Sequence, residues 1–100
     1  MADKEEKKDQ SIFEGKSEIE KGDFMHRLKD PSLYSRTNLA EGERSALAGK
    51  LFGSYGGYID KGEIEAARKE LKLGKWGKFK DFSEDEKEKA ERLLKGILGE

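Results

Sequence analysis

The sequence predicts an all-α fold: a small bundle of four short helices around a glycine-rich helix-turn-helix. Three observations predict it. Valine is absent and isoleucine occurs only five times, which argues against an extensive sheet, because strands draw on β-branched residues. Apolar residues recur at helical spacing in four separate segments. The segment SEIEKGDF at 17–24 also returns forty residues later as GYIDKGEI at 57–64, which points to one structural unit used twice.

Composition bounds the rest. One hundred residues make one small domain. The chain is 43% charged and 33% apolar, so few side chains must supply the core. A net charge of −1 removes the self-repulsion that holds many charged chains open. Residues 1–11 read as a disordered charged tail and 12–99 as a single helical domain. The chain has no cysteine, so a disulfide or thiolate site is excluded. No apolar run approaches the roughly 20 residues needed to cross a bilayer, and MADKEEKKDQ lacks the apolar stretch of a secretory signal. The expected location is the cytoplasm, with no membrane partner.

Ile12 and Phe13 are the first anchors. Phe24, Met25 and Leu28 give a helical face over 21–29, and Asp30-Pro31 ends it, because the residue before proline is pushed out of the α region. SLYSRTN at 32–38 reads as a loop with Leu33 and Tyr34 tucked against the body. A helix over 40–52 places Glu41 and Glu43 at its positive end and Ala46, Leu47, Leu51 and Phe52 on one side. Gly53, Gly56 and Gly57 stop it, and Tyr58-Ile59 forms a short extended piece. Asp60 caps a helix over 61–73 that carries Ile64, Ala67 and Leu71. Gly74 ends that helix, and 74–82 is a basic-aromatic linker. Ser83 with Glu86 forms a capping box for a helix over 83–98. Its face of Ala90, Leu93, Leu94, Ile97 and Leu98 should pack across the two helices of the helix-turn-helix. The predicted core is Phe24, Leu28, Leu47, Leu51, Phe52, Ile59, Ile64, Leu71, Leu93, Leu94 and Ile97.

In the second copy of the repeat, Gly57, Ile59 and Glu63 fall where an EF-hand places its turn glycine, its bridging isoleucine and its last carboxylate. With a helix on either side, residues 40–73 resemble the EF-hand family. Residues 12–29 match it only at Ile19 and Asp23. The resemblance implies a minimal two-residue β-bridge joining Ile19 to Ile59. It does not bring calcium. The first, third and fifth loop positions, which need oxygen ligands, are Phe52, Ser54 and Gly56, and in the first copy Ile12, Glu14 and Lys16. The expectation is a degenerate pair without calcium ligands, in which Glu63 and Asp23 cap helices. The competing reading is that isoleucine-acid-lysine is a common way to enter a helix. Phe13-Glu14-Gly15, Lys50-Leu51-Phe52 and Gly57-Tyr58-Ile59 are also similar to segments of small uncharacterised bacterial proteins, a likeness that implies no activity.

Tyr34, Tyr55, Tyr58, Trp76 and Phe79 are candidate interaction residues, since aromatics beside turns bury much area at low entropy cost. They serve equally well as lids over a small core. Arg68, Lys69, Lys72, Lys75, Lys78 and Lys80 form a candidate basic patch around Trp76, suited to phosphates and unpaired bases. The sequence pI near 6.0 opposes that reading, because nucleic-acid modules are usually basic. His26 has acids nearby but no nucleophile or metal set to work with. No catalytic, metal or cofactor constellation emerges. The leading expectation is a non-enzymatic module that binds another protein, with a nucleic-acid-associated protein as the alternative and an enzyme third.

Overall fold

The computed structural model describes residues 11–13, 15–53, 56–74 and 77–99, with Lys78 described by its backbone. The order is β1 (Glu18–Glu20), α1 (Lys21–Arg27), α2 (Ser32–Thr37), α3 (Glu41–Phe52), β2 (Tyr58–Asp60), α4 (Lys61–Leu73), a 3-10 turn (Gly77–Phe79) and α5 (Glu84–Leu98). The domain is mostly helical, with five α-helices among the described residues where the sequence predicts four. The charged tail lies outside the described residues, except that Ser11 is buried and its Oγ accepts from the Phe13 N–H at 3.1 Å.

The repeat forms the only sheet among the described residues. β1 and β2 pair antiparallel with Ile19 opposite Ile59, as the sequence predicts, over three residues in each strand. The Lys21 N–H donates to the Gly57 carbonyl at 2.9 Å and the Lys61 N–H donates to the Ser17 carbonyl at 2.7 Å. These two bonds interconvert under the forty-residue offset, so a local two-fold relates the two copies. Their alternation makes Ile19 and Ile59 a hydrogen-bonded pair, with both side chains on the buried face. A helix starts at once after each strand. Asp60 caps α4 by accepting from the Gly62 N–H at 2.7 Å, and Glu63 accepts from the Asp60 N–H at 3.3 Å. Glu20, the equivalent of Asp60, makes no side-chain cap, and Asp23 pairs with Arg27 at 3.0 Å instead of capping.

Residues 32–37 form α2, not the loop the sequence suggests. Proline ends a preceding helix but is also favoured at the start of the next one, since its missing N–H is an orphan there anyway. The Asp30 carboxylate accepts from the Ser32 N–H at 2.9 Å. That bond, helped by the Arg36 and Arg44 charges, holds the carboxyl below its ordinary value. Leu33 and Thr37, one turn apart, are the buried side of α2, whereas Tyr34 is exposed and not tucked in. α1 ends at Arg27, two residues early, and α3 begins at Glu41 with Ala40 as its cap position. α5 opens as predicted, with Ser83 Oγ accepting from the Glu86 N–H at 3.1 Å and Glu86 accepting from the Ser83 N–H at 3.0 Å.

α5 packs closely on α4, as expected, and on α2, and it reaches α3 through ion pairs. The close approach to α2 depends on Gly96, where an added Cβ would stand 2.4 Å from Thr37 Cγ2. Thr37 cannot swing away easily, because its hydroxyl donates to the Leu33 carbonyl at 2.7 Å and accepts from the Leu39 N–H at 3.2 Å. The core contains every predicted residue, with Leu71 half-buried, and adds Ile12, Phe13, Ile19, Met25, Leu33, Leu39, Ala48, Ala67, Phe79, Phe82 and Ala90. Phe24 sits between the halves, 6.4 Å from Phe13 and 6.1 Å edge-on to Phe52.

Alanine at Gly96 should therefore lower the melting temperature, because overpacking of about 1–3 kcal/mol exceeds the roughly 1 kcal/mol gain in helix propensity. Alanine at Gly49, where nothing lies within 4 Å of an added Cβ, should raise it. Thr37→Ser removes the clashing methyl and should rescue much of the Gly96→Ala loss; thermal melts of the four variants check this.

Candidate interaction surface

The ribbon presents one face to the core and one to solvent. Ile19 and Ile59 fill the inner face. Glu18 opposite Asp60 and Glu20 opposite Tyr58 make the outer face. These are the non-hydrogen-bonded positions, where facing side chains come closest. Like charges placed directly across a strand pair destabilise it. Glu18 and Asp60 are thus an unfavourable local arrangement on an exposed surface. Tyr58 is 61% exposed, the most open large apolar residue among those described. Gly56 and Gly57, both at positive φ, precede it.

The other candidates do not gather around Tyr58. Tyr34 and Leu73 are each 55% exposed, but they lie on α2 and at the far end of α4. The thirteen-residue α4 separates Tyr58 from the linker by about 20 Å at a rise of ~1.5 Å per residue. Phe79 is 4% exposed and stacks edge-on against Phe82 with ring centroids 5.2 Å apart, so it belongs to the core and not to a contact surface. Tyr55, Trp76 and Lys75 lie outside the described residues, as does the side chain of Lys78. Of the basic candidates, Lys69, Lys72 and Lys80 are exposed and Arg68 is half-buried. Glu65 and Glu70 share α4 with Arg68, Lys69 and Lys72 and dilute the patch. His26 is exposed on α1.

A second surface feature was not legible from sequence. α3 and α5 stand slightly apart over a groove of about 170 Å³, lined by Ala46, Leu47 and four charged residues. Lys50 bonds Glu86 at 3.0 Å and Lys89 bonds Glu43 at 2.9 Å and Asp85 at 3.3 Å. Lys50 also lies 4.5 Å from the centre of the Phe82 ring. Glu43 and Glu86 each serve their own helix start and accept a lysine from the other helix. Lys89, and then the Ala40 N–H, hold Glu43 below its ordinary value, and the Ser83 N–H followed by Lys50 does the same for Glu86. Glu43 and Asp85 raise Lys89. Every side chain of the groove's rim is thus already engaged.

Among the described residues no three His, Cys, Asp or Glu side chains are grouped to hold a metal, and no helix is long and apolar enough to cross a membrane. Comparison with known proteins finds no matching family model, no matching curated protein and no matching solved structure.

The ion pairs fix the sign of the pH response. Glu43 and Glu86 have folded values below the ordinary 4.5, so their contribution is present above it and disappears as pH falls through the lowered values. Lys89 is raised above 10.5, so its contribution is lost as pH rises beyond that. Melting temperature should be flat near neutrality and fall on both sides, and Glu43→Gln should shrink the acid-side fall in thermal melts.

Proposed function

We propose that the chain is a small non-enzymatic protein-interaction module of the bacterial cytoplasm, engaging a positively charged segment of another protein through the outer ribbon face. The observation that carries this reading is the exposure of Tyr58 on a face whose other side chains are Glu18, Glu20 and Asp60. An aromatic ring attracts Arg and Lys side chains through its π face, worth about 0.5–1 kcal/mol at exposed sites. Nearby carboxylates add charge-assisted hydrogen bonds and speed encounter. A basic partner would also relieve the repulsion between Glu18 and Asp60.

The architecture behind this face reads as a degenerate EF-hand-like pair that works without calcium. Supporting that reading are the Ile19–Ile59 register, the helix that follows each strand and the forty-residue equivalence of the Lys21 and Lys61 bonds. A nucleic-acid role remains the alternative, favoured by the exposure of Lys69, Lys72 and Lys80 and opposed by the acids among them.

One titration separates the readings. Labelled arginine-rich and glutamate-rich peptides and a single-stranded oligonucleotide are added at low and high salt, with and without millimolar calcium. Binding of the arginine-rich peptide alone is expected, weakened by salt, unchanged by calcium and reduced several-fold by Tyr58→Ala or Glu20→Lys. Binding of the oligonucleotide in place of the peptide would move the function to the α4 lysines.

A further inference from the structure

We infer that Lys21 is a latch that ties the end of α3 to the start of β2 and thereby holds the ribbon together. Two bonds of this one residue reach the two ends of the turn. Its ammonium donates to the Phe52 carbonyl, the last residue of α3, at 2.6 Å. Its backbone N–H donates to the Gly57 carbonyl, just before β2, at 2.9 Å. Lys21 is thirty-one residues from Phe52 in sequence, so these bonds are made by the other copy of the repeat.

The turn needs such an outside constraint. Gly53, Gly56 and Gly57 all have positive φ, between 78° and 108°. Glycine loses more conformational freedom on ordering than any other residue, so a turn with three of them is costly to fix. The cap at Gly53 has ψ 175°, outside the left-handed well, although its N–H still donates to the Gly49 carbonyl at 2.9 Å. An ammonium is favoured at the negative end of the α3 dipole. Lys21 is half-buried, which strengthens that attraction, and an added Cβ at Gly53 would stand 3.7 Å from its Nζ.

The first copy of the repeat shows the same solution. Ile12, forty residues before Phe52, has its carbonyl held by Arg27 Nη1, again a cation from α1. α1 thus carries the cations for both turns. The latch also bears on the proposed interaction face, because Tyr58 directly follows Gly57. The latch itself is measured without any partner, so it stands or falls separately from that reading.

The test is native-state hydrogen exchange on the full chain, comparing Lys21→Met and Lys21→Arg with the parent. With Lys21→Met, the Lys21, Ile59 and Lys61 amides should exchange about tenfold faster, beyond any change at Leu93 and Leu94 of α5, as loss of one charge-assisted bond predicts. Lys21→Arg should keep most of the protection. Acceleration of ribbon and α5 amides in equal proportion, or of neither, would overturn the latch. If Lys21→Met fails to fold, the milder Lys21→Gln carries the same comparison.

Discussion

The fold depends on how its helix ends are satisfied. Every α-helix leaves its last four carbonyls without an intrahelical partner, and five short helices in a small domain present that demand repeatedly. α2, α4 and α5 meet it in part locally, by ending at Asn38, Gly74 and Gly99 in the left-handed conformation so that the cap N–H turns back onto the last turn. At α2 and α3, and at the loop carbonyls that follow α1, cations from elsewhere in the chain add to the local cap bonds. Arg44 of α3 is 2% exposed and donates to Leu28 at 2.7 Å, Leu39 at 2.6 Å and Asp30 at 3.4 Å, all backbone carbonyls just beyond α1 or before α3. Arg92 of α5 reaches Thr37 at 3.1 Å and Asn38 at 3.4 Å, which close α2. Lys21 closes α3 at Phe52. A composition 43% charged is thus partly directed inward.

These long-range caps also set the topology. Most of them join residues far apart in sequence, so the ends of α2 and α3 double as tertiary contacts. The arrangement is demanding, because a buried cation costs several kcal/mol in desolvation unless its donors are used. Arg44 spends its donors on three carbonyls, and Asp30, whose own backbone is one of them, adds a nearby negative charge. Around this frame the two copies of the repeat contribute a ribbon whose inner isoleucines join the core and whose outer face is left acidic and aromatic. The groove between α3 and α5 is held by ion pairs where the helices are not closely packed. Exposed pairs of this kind contribute little to stability, so they position the helices more than they stabilise them.

Much of this was legible in the sequence for identifiable reasons. The capping signals at Asp60 and Ser83 and the apolar face of α5 are local, and local rules suffice for them. The Ile19–Ile59 pairing was legible because a repeat with a fixed offset carries long-range information. α2 was hidden because six residues with two buried side chains show no periodicity, and because proline can both end and begin a helix. The cationic caps were hidden for a different reason: an arginine that binds carbonyls sixteen residues away has the same local sequence as one in water. Gly96 was hidden too, since its role comes from Thr37 on another helix. Among the described contact candidates, Tyr34 and Tyr58 are exposed, and Phe79 went inward because so few apolar residues are available to fill the core.

The most direct test of this account is the equilibrium stability of Arg44→Met, measured by urea unfolding. The methionine keeps much of the apolar stem and removes the guanidinium, yet the carbonyls of Leu28, Leu39 and Asp30 cannot be removed with it. Replacing a whole buried ion pair by apolar groups is often harmless, but here one side of the interaction is backbone and remains buried. Two well-formed bonds lost, at about 1–3 kcal/mol for each unsatisfied carbonyl and partly offset by the relieved desolvation, give an expected loss of about 2–3 kcal/mol. A variant as stable as the parent, or more so, would contradict the claim that cationic caps at helix ends hold this fold together.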